Sequence, residues 1–355
     1  MRILFLHNAF PGQFGHLAAE LARDPANQVL FASADAGGTL PGVRRLTYGA
    51  ARPVHAPVHP YLRWMEGAVL TGQAVYRLCH QLKQDGFIPD VVCAHSGWGP
   101  ALYIKQLFPR CRLAGYFEWF YQADGADTAF LDQTLSADDG CRIATRNGAL
   151  LMDLANADCA ITPTDFQRGR FPERLRPLLT VLHDGVDTDF FRPAPAAPLR
   201  LPGLDLSHAS EIVTYATRGM EPYRGFPQFL RAAALLQHRR PYLHVVVAGE
   251  DHVHYGQRLP DGDSWKRRML AELPELDLSR LHFTGTLPAP HYRLLLQASS
   301  AHVYLTVPFV LSWSLLDAMA CGCAVVASDT KPVREVVTDG GNGLLADFLS
   351  PDSIA

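Results

Sequence analysis

Short runs of apolar residues that do not alternate with polar ones constrain this chain most. In the first half they fall at Ile3–Leu6, Val29–Ala32, Val91–Ala94, Leu113–Phe117, Cys159–Thr162 and Thr180–Leu182. In the second half they recur at Ile212–Ala216, Leu243–Ala248, His282–Thr284, Val303–Leu305 and Ala324–Ala327. Continuous apolar runs suit strands covered on both faces, as in a parallel sheet. Longer amphipathic stretches such as Leu62–Leu82 and Ala144–Leu154 lie between the runs and read as crossover helices. The pattern predicts an α/β chain of two doubly wound, Rossmann-like domains.

The length of 355 residues agrees with two domains. The segment from Phe191 to Gly203, rich in Pro and Ala, disfavours helix and sheet and reads as the linker. The boundary is therefore placed near residue 195, giving domains 1–195 and 196–355. Two such domains are expected to face each other across a cleft at the C-terminal ends of their sheets, where ligands of this architecture bind. Ser350-Pro351-Asp352-Ser353 reads as a capped helix start that the chain leaves before the helix could form, so the second domain is expected to be truncated.

Composition narrows the function. With 48% hydrophobic and 19% charged residues and a net charge of −3, the chain is an ordinary globular protein with no electrostatic case for nucleic acid. No apolar run approaches the roughly 18 residues of a membrane span, and Met1–His7 is too short for a signal peptide. The 7 cysteines form no CxxC pair, which argues against a disulfide framework or zinc site and for a cytosolic protein. No metal-ligand cluster is expected.

The segment from Pro308 to Gly322 carries the densest functional signal. An apolar strand runs into a loop and then a helix start near Leu311, Ser312, Trp313 and Ser314, an arrangement that collects backbone N–H groups toward an anion. Asp317, further along that helix, could accept hydrogen bonds from a diol. Arg218 and Arg224 follow the first strand of the second domain, where two guanidiniums could clamp a diphosphate. The competing reading is a pair of surface arginines in ion pairs with Glu221.

In the first domain, Gly12 and Gly15 sit in the turn after the first strand and permit close backbone approach to a ligand, without the GxGxxG spacing of a dinucleotide fingerprint. His95 and Glu118 end two further strands, and Glu118 is the stronger candidate for a functional carboxylate. His183-Asp184-Gly185 reads as a tight turn that positions the linker. The arginines at 168, 170, 174 and 176 read as a solvated face, with peripheral membrane contact at the inner face as the alternative.

Taken in order, these segments resemble the nucleotide-sugar-dependent glycosyltransferases of family 4, which have the GT-B fold. The Gly12–His16 loop is similar to the family's N-terminal glycine loop. His183-Asp184-Gly185-Val186-Asp187 with Phe191-Arg192-Pro193 is similar to its Asn-Gly-Val-Asp segment. Arg218 and Arg224-Gly225 match its Arg and Lys-Gly pair, and Leu315–Gly322 followed by Ala324–Ser328 matches its strongest signature. The chain departs from the pattern where the family carries two glutamates eight positions apart. The second is Asp317 here and the first falls at Phe309, while Val310 and Ser312 replace glycines. The family's closing helix is not seen.

The resemblance implies a retaining transferase with a role in glycan or polysaccharide synthesis. Its donor would be a UDP-, GDP- or ADP-sugar bound in the second domain, and its hydroxyl acceptor would bind in the first. Arg218 and Arg224 would be catalytic residues, joined by Glu118 on the strength of its own place at a strand end. Gly12, Gly15, Leu311–Ser314 and Asp317 would form the donor-binding set, with the nucleotide sugar as substrate and no separate cofactor. Phe309 in place of a glutamate leaves open a non-catalytic nucleotide-sugar-binding or scaffold protein. A sugar-nucleotide epimerase or a dinucleotide oxidoreductase is a third reading, the latter disfavoured by the missing fingerprint.

Overall fold

The structure, a computed structural model, describes residues 1–123, 125–131, 135–194, 198–256, 259–260 and 262–355. The chain divides into two compact units, Met1–Asp184 and Gly185–Ala355. The boundary expected near residue 195 lies outside the described residues.

The first unit contains strands β1 (Arg2–His7), β2 (Gln28–Ser33), β3 (Arg44–Thr47), β4 (Val91–His95), β5 (Arg112–Tyr116), β6 (Cys159–Thr162) and β7 (Leu179–Val181). They form one parallel sheet in the order β3-β2-β1-β4-β5-β6-β7. Successive residues of β1 serve opposite faces, as the strand period of two requires. Leu4 and Leu6 pack with Val75, Cys79 and Leu82 of the helix Arg63–Gln84. Ile3 and Phe5 pack with Phe14 and with Ala18 of the helix Gly15–Leu21.

The second unit opens with a small antiparallel hairpin, β8 (Arg200–Leu201) and β9 (Leu204–Asp205). There follow β10 (Glu211–Gly219), β11 (Leu243–Glu250), β12 (Leu281–Gly285), β13 (Ala301–Tyr304), β14 (Val325–Ser328) and β15 (Leu344–Ala346). These six form a parallel sheet in the order β12-β11-β10-β13-β14-β15. Tyr215 on β10 stacks on Phe229 of the helix Phe226–Arg239 at 4.5 Å between ring centres. Phe191, within the expected linker, packs with Tyr292 in the core of this unit.

Two sequence expectations are corrected. Ala144–Leu154 is not one helix: a helix ends at Arg146 and another begins at Gly148. Asn147 makes the break, because its side-chain amide accepts from Tyr121 N at 2.9 Å and donates to Tyr121 O at 2.8 Å, fixing the helix junction to the loop after β5. The helix start at Ser350 does form. The Ser350 hydroxyl accepts from Ser353 N at 3.2 Å, and the turn Pro351–Ile354 lies against the helix Phe226–Arg239 with Ile354 buried.

Candidate functional site

In each sheet the order reverses once, between β1 and β4 in the first unit and between β10 and β13 in the second. Loops leaving the C-terminal ends of those strands diverge to opposite faces and leave a crevice, the usual ligand position of such sheets.

In the second unit β10 ends in Arg218 and Gly219, and a 3-10 turn, Pro222–Arg224, leads through Gly225 into the next helix. Gly225 adopts φ +67°, and a Cβ there would stand 2.6 Å from Leu305 Cβ, so no side chain fits. The turn is thereby pressed onto the start of the loop after β13. Arg224 is buried against that loop, and its Nη1 donates to Thr306 Oγ1 at 2.8 Å and Val310 O at 3.1 Å. The rings of Tyr255 and Phe309 lie 5.3 and 5.8 Å from its guanidinium carbon. Arg218, by contrast, is exposed at the strand end.

Between the two arginines in sequence sits Glu221, fully buried. Its Oε2 accepts from His254 N at 2.8 Å and Tyr255 N at 2.7 Å, which ties down the loop after β11. Its Oε1 has no hydrogen-bond partner among the described residues. Burial pushes the carboxyl up to about 7, against the pull of those amides and of the Arg224 and Arg218 charges. Both guanidiniums thus lie within electrostatic reach of one carboxyl group. Sequence reasoning treated Glu221 only as a surface ion-pair partner; its place after the strand end was the available signal.

Ser312 occupies the N-cap of the helix Trp313–Ala320 without capping it through its side chain. Its hydroxyl instead pairs with Ser314 Oγ at 3.1 Å, while its N–H donates to Tyr304 Oη at 2.8 Å. Leu311 is buried in the core, so of the four residues at this helix start it offers backbone alone. Asp317 is half-buried on the same helix, within electrostatic reach of Tyr292, and burial raises its carboxyl to about 7. Phe309 stands edge-on to Tyr223 and Tyr255, at 5.7 and 5.2 Å between ring centres. An aromatic cluster therefore occupies the position where the family places a glutamate.

In the first unit a chain of polar groups spans the reversal point. His7 Nδ1 accepts from Ala9 N at 2.8 Å, which leaves the proton on Nε2 to donate to Gln13 Oε1 at 2.7 Å. Gln13 Nε2 then donates to Glu118 Oε1 at 3.0 Å. On the other side of Glu118, His95 is buried and kept neutral, its pKa pressed well below the usual histidine value by desolvation. His95 Nδ1 donates to Ser96 O at 3.2 Å, so its Nε2 lone pair faces Glu118 Oε2 at 3.8 Å. Two acceptors at that separation can be bridged by a hydroxyl proton. Gly12, at φ +49°, admits the His7 ring 2.8 Å from where a Cβ would stand. Gly15 likewise opens its helix against Pro11, 2.9 Å from a Cβ. Both glycines thus shape the His7–Gln13 contact. Gln13 went unnoticed in the sequence because an amide among glycines carries no pattern.

Comparison with known proteins supplies the class. Residues 25–191 match the family model of the glycosyl transferase family 4 group, and residues 206–355 match that of the glycosyl transferases group 1. The chain belongs to the family-4-type glycosyltransferases. Curated relatives include the lipopolysaccharide 1,2-N-acetylglucosaminetransferase of Salmonella typhimurium, 26% identical over 55% of this chain and 50% of that protein. Another is the D-inositol 3-phosphate glycosyltransferase of Thermobispora bispora, 31% identical over 51% of this chain and 40% of that protein. The match thus spans half the length of these relatives or less. Among solved structures, Anabaena HepE in complex with UDP and glucose superposes with a TM-score of 0.69 at 18% identity, covering 100% of this chain and 88% of that one. Sucrose-phosphate synthase from Thermosynechococcus elongatus does so at 0.67 and 16%, with the same coverage. The α/β architecture of two parallel sheets is that of the GT-B glycosyltransferases.

Proposed function

We propose that the protein transfers a sugar from a nucleotide-diphosphate sugar to a hydroxyl acceptor, with retention at the anomeric carbon. The observation that carries this reading is the gathering of Arg218, Glu221, Arg224 and the Trp313–Ala320 helix start around the β10/β13 reversal, together with membership in a transferase family. The bond from the anomeric carbon to the diphosphate oxygen breaks, and a bond to the acceptor oxygen forms on the same face. The acceptor proton passes to the departing phosphate oxygen, and a nucleoside diphosphate leaves. Arg218 and the helix N-terminus stabilise the negative charge that develops on the leaving group, while Arg224 holds the loop that presents that helix. One such preorganised donor lowers the barrier by about 3 kcal/mol. Asp317 accepts from the ribose diol. Glu118 with His95 receives the acceptor hydroxyl, and Gly12 and Gly15 hold the loop that carries Gln13.

The nucleotide sugar is a substrate in this reading, and no separate cofactor is invoked. Nucleotide-sugar use is supported by Anabaena HepE, solved with UDP and glucose, and a role in glycan synthesis by the Salmonella lipopolysaccharide enzyme. No helix among the described residues is long and apolar enough to cross a membrane. The free cysteines fit action in the cytoplasm, with peripheral contact at the inner membrane face as a compatible refinement.

Titration calorimetry with UDP-, GDP- and ADP-sugars, followed by product analysis with a labelled donor, tests the proposal. Transfer or slow donor hydrolysis supports it, and absence of binding to all three donors overturns it. Phe309, packed against Tyr223 and Tyr255, favours a second reading, a nucleotide-sugar-binding protein without turnover. Tight donor binding with no hydrolysis, across a broad acceptor panel, would select that reading.

A further inference from the structure

Asp153 is a buried acid that the transferase reading leaves without a task. It lies on the helix Gly148–Asn156 and is 1% exposed. Its Oδ2 accepts from Gly97 N at 2.8 Å, while its Oδ1 is buried with no hydrogen-bond partner among the described residues. No cation among those residues pairs with it, in contrast to the nearby Asp158, which holds Lys105 at 2.6 Å. Burial raises the Asp153 carboxyl to about 7 against the pull of that single amide. An asparagine or serine could satisfy Gly97 N without desolvating an acid, which points to a task beyond tying down the loop.

The task lies on the other side of the same peptide. Gly97 N and the Ser96 carbonyl belong to one amide, and because that amide is trans they point in opposite directions. Gly97 holds φ +85°, which sets this orientation and which other residues adopt only with strain. The Ser96 carbonyl meets His95 Nδ1 at 3.2 Å. A carbonyl can only accept, so Nδ1 carries the imidazole proton. A carboxylate drawing on the N–H end of an amide pushes electron density onto its oxygen and strengthens the bond that the oxygen accepts. Asp153, the Ser96–Gly97 peptide and His95 thus form one polarised chain. The tautomer at its end presents the Nε2 lone pair to Glu118 Oε2 at 3.8 Å.

We infer that Asp153 is a positioning residue: acting through the Ser96–Gly97 peptide, it holds the Nδ1 proton of His95 and keeps the Nε2 lone pair available to the acceptor hydroxyl. The last clause rests on the transferase reading; the hold on the imidazole does not. Ionised Asp153 polarises the peptide more than the protonated acid, so the hold strengthens as pH rises through 7. Among the described residues, the other titratable groups against the His95 ring are Glu118, His7 at 4.8 Å between ring centres and Tyr116 at 5.5 Å. His95 itself stays neutral across this range, desolvated and facing His7.

NMR of the full chain with nitrogen-labelled histidine tests this, with His95→Gln assigning the His95 signals. In the parent protein His95 is expected as the neutral Nδ1–H tautomer at pH 8. Its nitrogen shifts should move in one step centred near pH 7 although the ring gains no charge. Asp153→Asn should abolish the step and admit the Nε2–H tautomer. His7→Gln and Glu118→Gln should each leave the step in place, which keeps its source identifiable if Asp153→Asn does not fold. The inference is overturned by a parent protein with no step, by a step that survives Asp153→Asn, or by a step lost with His7 or Glu118. Rates give a second readout. At pH 8 Asp153→Asn should lower kcat roughly 10-fold, the scale seen when a ligating histidine loses its hydrogen-bond partner. KM for the nucleotide sugar should change by less than about twofold. At pH 6, where the parent carboxyl is protonated, the two rates should converge; equal rates at pH 8 overturn the role. A tautomer indifferent to Asp153 sinks this inference alone. The expected step in a protein that binds no nucleotide sugar sinks the transferase alone.

Discussion

Arg224 Nη1 donates to Thr306 Oγ1 at 2.8 Å, tying the turn after β10 to the loop after β13 across the reversal of the second sheet. This bond makes Arg224 part of the frame that holds the helix start at Trp313, whereas Arg218 remains on the surface. The two arginines should therefore separate on mutation. Arg224→Ala is predicted to lower stability by about 2–3 kcal/mol, the usual effect of deleting a charged hydrogen-bonding group from the interior. Arg218→Ala should change stability by less than about 0.5 kcal/mol yet weaken nucleotide-sugar binding by roughly 10-fold or more. Denaturant titration and calorimetry on both variants check this; equal effects on folding would refute the division of labour.

Gly225→Ala is predicted to destabilise by more than about 2 kcal/mol. The new Cβ would meet Leu305 Cβ at 2.6 Å while the backbone stays at φ +67°, so overpacking and left-handed strain combine. Gly185→Ala, also at positive φ but with nothing within 4 Å, should cost about 1 kcal/mol from backbone strain alone. A melting series of the two variants reads the difference.

Glu221 should make the fold less stable as pH rises. Its folded pKa, about 7, exceeds the ordinary value of 4.5, so the native state holds the proton more tightly than the unfolded chain. The stabilising contribution is full below about pH 4.5 and is lost as pH climbs through 7, a change on the order of 3 kcal/mol. Glu221→Gln keeps an oxygen for the amides of His254 and Tyr255 and carries no charge. Urea unfolding at pH 5 and pH 8 should show a flatter dependence in this variant; an unchanged slope would count against the buried carboxyl as its source.

Asp317 should impose the opposite trend on ligand affinity. Its carboxyl titrates near 7, and only the ionised form accepts from both hydroxyls of a ribose. Nucleotide affinity is therefore predicted to rise between pH 6 and pH 8. Asp317→Asn should bind more weakly at pH 8, by roughly 10-fold for a lost charge-assisted hydrogen bond, and show little pH dependence. Affinities of UDP, GDP and ADP across that range provide the measurement, and a pH-independent parent protein would remove Asp317 from the ribose.

Much of the scaffold was legible before any coordinates. Each apolar run from Ile3–Leu6 to Ala324–Ala327 became or overlapped a strand of a parallel sheet, because a strand covered on both faces has no polar side to interrupt its run. The edge strands escaped notice for the converse reason. Arg44–Thr47 has one neighbour and a largely solvated surface, so its arginines conceal it, and Leu344–Ala346 is too short to register a period. Asn147 split an expected helix through bonds to Tyr121, a partner 26 residues away that no local pattern announces.

The sequence by itself determined the strand-and-helix alternation, the glycines that permit tight turns, and the charged residues that follow strand ends. Those properties depend on near neighbours along the chain. Only the tertiary structure decided that Arg224 is a buried brace and Arg218 a surface cation, and that Glu221 is interior. It also decided that Asp153 is buried with Gly97 N as its partner. Burial and ion pairing depend on what distant segments bring to the same point, and desolvation by those segments turns an ordinary carboxyl or guanidinium into a group with a specific task.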